Sequence, residues 1–371
     1  MPSVLILCEH ATLNGGEQSM LSTLVGVARA GYQICVAAPA SGPLAESLHD
    51  AGVETTPFEP RDAQGVRLPL GQLRCKLAEI VRRRRPDLLH ANSLAVGRIS
   101  GPVAQEAAAP SLSHLRDIIS LRRQEIADLN CHTRLLAVSQ ATRQFHVAQG
   151  LTARKAFVLY NGIDLERFRP CPPTGYLHRE LGLGDDVPLI GTIGQISLRK
   201  GHDVMTAALA QLALKTPYAW LVIGQRFSDK EESRHFEEQL HRAAAGSLAG
   251  KVCFLGVRND VSRILNELTL LVHPARQEPL GRVLLEAGAA GVALVATDVG
   301  GTREIFPPQC EAACLVAPDD AQGISAAIGR LLGDAGQRRQ LAENARRRVA
   351  EAFDLRQAVD GLLKHYQELT G

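Results

Sequence analysis

The chain has 371 residues, 45% of them hydrophobic and 22% charged, with a formal net charge of +2. That length exceeds what one hydrophobic core ordinarily supports, so two domains are expected. Aromatic residues make up only 4% of the chain and none interleaves its basic run, which argues against a nucleic-acid binder. No run of about 18 apolar residues is present to span a membrane. The eight cysteines stand far apart with no C-x-x-C pair, and Cys310 and Cys314 alone do not make a zinc site. With no basic lead before the short apolar N-terminus, a reduced, cytoplasmic protein is expected.

Residues 4–8 form an apolar run that reads as a buried parallel strand. Asn14-Gly15-Gly16-Glu17 follows, then apolar residues at helical spacing over 19–30, then a second strand over 34–38. Strand, glycine turn, helix, strand is a βαβ unit. The Gly15-Gly16 pair either admits a phosphate or sugar close to backbone amides or simply makes the turn. It is not G-x-G-x-x-G, and no acidic residue ends the second strand, so a nicotinamide site is not indicated. A helix over 43–51, a strand over 53–58 and a polar loop over 61–69 come next, then a basic amphipathic helix over 71–85. Its terminal Arg82, Arg83, Arg84 and Arg85 complement a helix dipole. Alternatively, with Arg74, Lys76, Arg122 and Arg123, they form a patch for anionic membrane lipid or a lipid-diphosphate acceptor. Strands are predicted over 87–90, 111–114, 134–139 and 157–160, the second ending at His114. His114 is either a packed histidine or a group presented where ligands collect in open α/β sheets.

Proline-rich Phe168-Arg-Pro-Cys-Pro-Pro-Thr-Gly175 looks like a linker, and the polar stretch 181–186 continues it. From 188 the strand–loop–helix pattern resumes. A strand over 188–193 leads into Gly194-Gln195-Ile-Ser-Leu-Arg199-Lys200-Gly201 and a helix over 203–215. Arg199-Lys200 reads as a phosphate-binding pair between strand and helix, or as a solvated turn. Further strands are predicted over 219–223, 252–255, 268–273 and 292–297, with a closing helix over 356–369. Between the last two strands lies Glu278-Pro-Leu-Gly281-Arg282-Val-Leu-Leu-Glu286. From 283 to 297 Glu286 is the one charged residue among fifteen, and a carboxylate there must be met by something polar. An arginine would suffice. So would the hydroxyls of a ligand whose phosphates sit at the helix start. Two doubly wound α/β domains follow from the pattern.

Taken together, Gly15-Gly16-Glu17, Tyr160-Asn161-Gly-Ile-Asp164 with Phe168-x-Pro170, Lys200-Gly201, Glu278-x7-Glu286 and Val299-Gly-Gly-Thr-x-Glu304 resemble the retaining, nucleotide-sugar-dependent glycosyltransferases of family 4. The resemblance implies a GT-B fold, two Rossmann-like domains facing across a cleft. Residues 1–170 would be the acceptor-side domain, 171–187 a linker and 188–354 the nucleotide-sugar-binding domain, with 355–371 a helix packing back on the first. It implies transfer of a sugar from a UDP- or GDP-linked donor to a glycan or lipid-linked acceptor, with no cofactor and no metal. Glu286 would bind the ribose, Glu278 the donor sugar with the amides of Leu280 and Gly281, Lys200 the pyrophosphate, and His114 would sit at the reacting hydroxyls. Gly15 and Gly16 would approach the phosphates. Where the family often has an arginine, this chain has Gln195, so Arg199 or Arg282 is the candidate for the second phosphate cation. A catalytically idle subunit of the same fold and a sugar-nucleotide epimerase are the alternative readings. Arg276 is a candidate donor contact, and peripheral membrane contact is expected through the arginines at 82–85.

Overall fold

A computed structural model describes residues 1–212 and 217–371. Two compact units emerge: residues 1–162 with 355–371, and residues 163–354.

Unit 1 holds a seven-stranded, wholly parallel sheet of β1 (Ser3–Leu7), β2 (Gln33–Ala38), β3 (Glu54–Pro57), β4 (Leu88–Ala91), β5 (Ser111–Leu115), β6 (Arg134–Ala137) and β7 (Ala156–Val158). The order is β3-β2-β1-β4-β5-β6-β7. In β1 the two-residue period sends Val4 and Ile6 to one face and Leu5 and Leu7 to the other, and all four are buried. A strand covered on both faces must be apolar at every position, which is why this segment reads as a run rather than an alternation. Met20, Leu24 and Val27 of the helix Gly15–Arg29 cover the first face together with Leu362 and Tyr366 of the helix Leu355–Thr370. Leu73, Leu77, Ile80 and Val81 of Leu70–Arg84, with Val96 and Ile99 of Leu94–Glu106, cover the second. The basic end of Leu70–Arg84 is exposed at Arg82 and Arg83, whereas Arg84 is held by Glu54 and Thr56, and Arg74 by Asp128 and the Arg98 carbonyl.

Unit 2 holds a six-stranded parallel sheet of β8 (Leu189–Ile193), β9 (Ala219–Ile223), β10 (Val252–Gly256), β11 (Leu270–His273), β12 (Leu294–Thr297) and β13 (Cys314–Val316), in the order β10-β9-β8-β11-β12-β13. Trp220 is fully buried in β9, its indole N–H donating to Thr192 at 3.0 Å. Helices His202–Ala210 and Ala321–Gly333 cover one face. Arg282–Ala289 packs instead on Ala335–Ala352, so closely that a Cβ at Gly288 would lie 2.8 Å from Val349. The helix expected over 203–215 is described as His202–Ala210, and the residues beyond 212 in that expectation lie outside the described ones.

The division between units falls at 162/163, so residues 163–187, expected as domain end and linker, are part of unit 2. Ile163, Phe168 and Leu177 in this segment are buried, and polar contacts add to that packing. Glu267 accepts from Thr174 Oγ1 and from the amides of Thr174 and Gly175 at 2.7–2.9 Å, and the helix Tyr176–Leu181 follows at once. Proline content signalled a break in secondary structure there, not a free joint. Among the described residues no helix is long and apolar enough to cross a membrane.

Because Leu362 is buried in the sheet-covering layer of unit 1, Leu362→Ala is expected to destabilise the protein by about 2–5 kcal/mol. Urea unfolding followed by circular dichroism measures this.

Candidate functional site

In each sheet the strand order reverses once, between β1 and β4 in unit 1 and between β8 and β11 in unit 2. Crossovers leave such a point in opposite directions, so the loops at the carboxyl ends part there and leave room for a ligand. Most residues singled out from the sequence lie at these two places.

In unit 2 the loops after β8 and β11 meet backbone to backbone. Gly201 has a φ of +69°, and a Cβ there would lie 1.9 Å from the carbonyl oxygen of Pro274. Only glycine allows that approach, and it brings Lys200 beside the loop after β11. Lys200 Nζ donates to Glu278 Oε2 at 2.5 Å, and the same oxygen accepts from His273 Nε2 at 2.7 Å. Burial by itself would raise the pKa of Glu278. The Lys200 cation and the His273 hydrogen bond outweigh it and hold the carboxyl well below the usual range. His273 itself is kept neutral, by burial first and by the Lys200 charge second. The second oxygen of Glu278, Oε1, has no protein partner among the described residues. The Glu278 carbonyl accepts from the Gly301 amide at 3.0 Å, tying in the loop after β12.

Gly281, with a φ of +106°, caps the helix Arg282–Ala289. The amides of Leu280 and Gly281 have no protein acceptor among the described residues and sit at the positive end of that helix. Glu286, four residues into the helix, is buried and accepts from Arg282 Nε at 2.8 Å. Burial raises its pKa, against the pull of Arg282. An arginine therefore does meet Glu286, which occupies Arg282 and leaves Arg199 as the free cation of the two candidates. Arg199 forms no ion pair among the described residues, and its charge is felt at His273. Gln195 follows Gly194 in the same loop, whose course is fixed by the Ile196 amide donating to the Gln225 carbonyl at 3.0 Å. Arg276 is not available to a ligand: Asp203, Asp319 and the Leu198 carbonyl take its guanidinium at 2.6–2.8 Å.

In unit 1, Gly15 and Gly16 open a 15-residue helix, where first-turn amides lack intrahelical partners. A Cβ on Gly16 would lie 3.1 Å from Arg116 Cδ. Arg116 donates to the Asn92 carbonyl at 2.8 Å, to Asn92 Oδ1 at 2.9 Å and to Asn161 Oδ1 at 2.9 Å, while Asn92 donates to the Gly16 carbonyl at 3.2 Å. The glycine turn is thus tied to the ends of β4, β5 and β7. His114, near the end of β5, is 5% exposed and stacked at a tilt on His90. Among the described residues no group of three or more metal-ligating side chains gathers.

His273, His90 and Tyr366 join these places although no motif in the sequence marks them. A signal existed for the first: like His114, His273 is a histidine ending an apolar strand. None existed for Tyr366, whose relation to His90 depends on a helix 276 residues further along the chain.

Burial holds five histidines largely neutral: His90 at about 3, His132 and His202 at about 4, and His114 and His273 below the ordinary value. Their folded-state pKa lies below the unfolded 6.5, so the unfolded chain binds more protons as pH falls. Stability is then lost progressively as pH falls below about 6.5, down to about 4 for His132 and His202 and about 3 for His90. A urea midpoint lower at pH 5 than at pH 7.5 is the expected result.

Residues 13–167 match the family model described as Glycosyltransferase Family 4, and residues 176–348 the model described as Glycosyl transferases group 1. Three curated relatives are similar. The lipopolysaccharide core biosynthesis mannosyltransferase LpsB of Rhizobium meliloti is 28% identical over 57% of this chain and 60% of its own length. The GDP-mannose-dependent alpha-mannosyltransferase of Mycobacterium tuberculosis is 25% identical over 97% of this chain and 94% of its own. The phosphatidyl-myo-inositol mannosyltransferase of Mycolicibacterium smegmatis is 29% identical over 96% and 91%. Among solved structures, Anabaena HepE in complex with UDP and glucose superposes with a TM-score of 0.86 at 23% identity, over 98% of this chain and 99% of that one.

Proposed function

This chain belongs to the family 4 glycosyltransferases, and we propose that it transfers a hexosyl group from a nucleotide diphosphate hexose to an acceptor hydroxyl with retention at the anomeric carbon. The observation that carries the reading is the constellation at the switch point of unit 2: Lys200, Glu278, Glu286 and the free amides of Leu280 and Gly281 within two adjoining loops. Lys200 and the helix-start amides stabilise the departing diphosphate, the site where negative charge develops. No metal is needed for that role. Glu278 keeps Lys200 oriented through Oε2 and offers Oε1 to hydroxyls of the hexose, while Glu286 serves the ribose. Arg199 supplies the second phosphate cation in place of the residue at Gln195. Gly15 and Gly16 lend amides to a substrate anion, and His114 meets a substrate hydroxyl. The donor is UDP- or GDP-linked. GDP-mannose is the first to test, given the relative that depends on it, and a glycan or lipid-linked acceptor is in keeping with the relatives of lipopolysaccharide and phosphatidylinositol chemistry.

The exposed Arg82, Arg83 and Arg85 support a peripheral contact with anionic lipid. Flotation with vesicles rich in anionic lipid is expected to carry wild type upward and to leave a triple alanine variant at these positions behind.

Lys200→Ala and Glu286→Ala are each expected to lower hexose transfer or donor hydrolysis by about 100-fold or more in protein that still folds, Lys200→Ala with a lowered thermal midpoint because Glu278 loses its cation. Arg199→Ala is expected to raise the donor KM by about tenfold, as for the loss of a charged hydrogen bond. Steady-state kinetics with GDP-mannose and UDP-glucose, and the anomeric configuration of the product by NMR, are the measurements. Wild-type rates in the Lys200 and Glu286 variants would sink the assignment.

A further inference from the structure

Behind His114 lies a line of buried polar side chains that the transfer reaction does not by itself require. His90, in the middle of β4, is 2% exposed, and Tyr366, in the helix Leu355–Thr370, is fully buried. The Tyr366 hydroxyl is 2.6 Å from His90 Nδ1, and His90 Nε2 is 2.8 Å from His114 Nδ1. Tyr32 closes the far side, its ring edge-on to Tyr366 at 5.4 Å.

A neutral imidazole carries one N–H, so His90 can donate at only one of its two links. The two hydrogen bonds must therefore run in the same direction. In one direction Tyr366 donates to His90 Nδ1, His90 donates through Nε2–H to His114 Nδ1, and the His114 proton resides on Nε2. In the other, His114 donates through Nδ1–H to His90, His90 donates through Nδ1–H to the Tyr366 oxygen, and the phenolic hydrogen needs a different acceptor. Among the described residues the Tyr366 hydroxyl has no other partner, and no part of the side chain reaches solvent. A buried hydroxyl hydrogen without an acceptor disfavours that direction by roughly tenfold or more in population. Both rings stay neutral around physiological pH: burial lowers each pKa first, the Arg116 charge lowers it further, and His132 and His365 add to the effect.

We propose that Tyr366 and His90 are positioning residues that lock His114 in the tautomer protonated on Nε2, so that His114 meets the substrate as a hydrogen-bond donor and not as a proton acceptor. This rests on the reading that His114 touches substrate. With Nδ1 engaged by His90 and Nε2 already carrying hydrogen, His114 has no lone pair for the acceptor proton. That proton passes to an oxygen of the departing diphosphate, whose bond to the anomeric carbon breaks as the acceptor oxygen bonds there. The C-terminal helix thus reaches the chemistry of unit 1 through one phenol.

The test is the nitrogen state of His114 in protein carrying 15N-labelled histidine, read by long-range 15N–1H NMR and assigned by the signal lost in His114→Ala. Wild type is expected to show His114 protonated on Nε2 and bare on Nδ1. Tyr366→Phe removes the donor that sets the direction. It is expected to give a mixed tautomer and to lower kcat for hydrolysis of GDP-mannose or UDP-glucose by about 5- to 10-fold, equally across pH 6–8. A wild-type His114 protonated on Nδ1 overturns the proposal without any variant. So does Tyr366→Phe that folds and keeps both the tautomer and the rate. A fully active His114→Ala would instead refute the substrate-contact reading. An inactive His114→Ala beside a fully active Tyr366→Phe refutes only the relay.

Discussion

One buried carboxylate oxygen organises the site of unit 2. Oε2 of Glu278 is reached by the Lys200 ammonium and by the His273 N–H, groups carried on the loop after β8 and on the end of β11. An ionised carboxylate in an apolar wall loses hydration that only such partners replace, so the three side chains hold one another in place. Meeting at all requires the loops to touch backbone to backbone at Gly201 and Pro274. The same pairing keeps a cation and a free carboxylate oxygen oriented before any ligand arrives. A site arranged in advance stabilises developing charge without reorganising during reaction.

Unit 1 combines one half-buried cation with uncharged histidines. Arg116 ties the glycine turn to Asn92 and Asn161 through three hydrogen bonds, and the histidines of β4 and β5 are buried deeply enough to stay uncharged.

Much of this was legible in the residues. Parallel strands buried on both faces announce themselves as apolar runs, as at 4–8 and 268–273, and a βα repeat leaves few topologies once the strands are counted. Glu286 stood out because an apolar segment of that length has no other charge. Proline breaks helices whether or not a segment packs, so the stretch 168–175 does not reveal its hydrogen bonds from Thr174 and Gly175 to Glu267, which connect positions about 93 apart. Arg276 looked available for the same reason, since Asp203 and Asp319 become its neighbours only after folding.

The sequence by itself determined the repeating βα units, the glycines that permit close loops, and the residue types at each strand end, because these depend on local periodicity and backbone freedom. Tertiary structure decided the partners. Lys200 and His273 converge on Glu278 from two loops, Asp203 and Asp319 take Arg276, and Tyr366 lies against His90 across 276 residues of chain. Proton positions and ion pairs act over a few ångströms, and distance of that kind is created by the crossovers of the sheet, which no local pattern encodes.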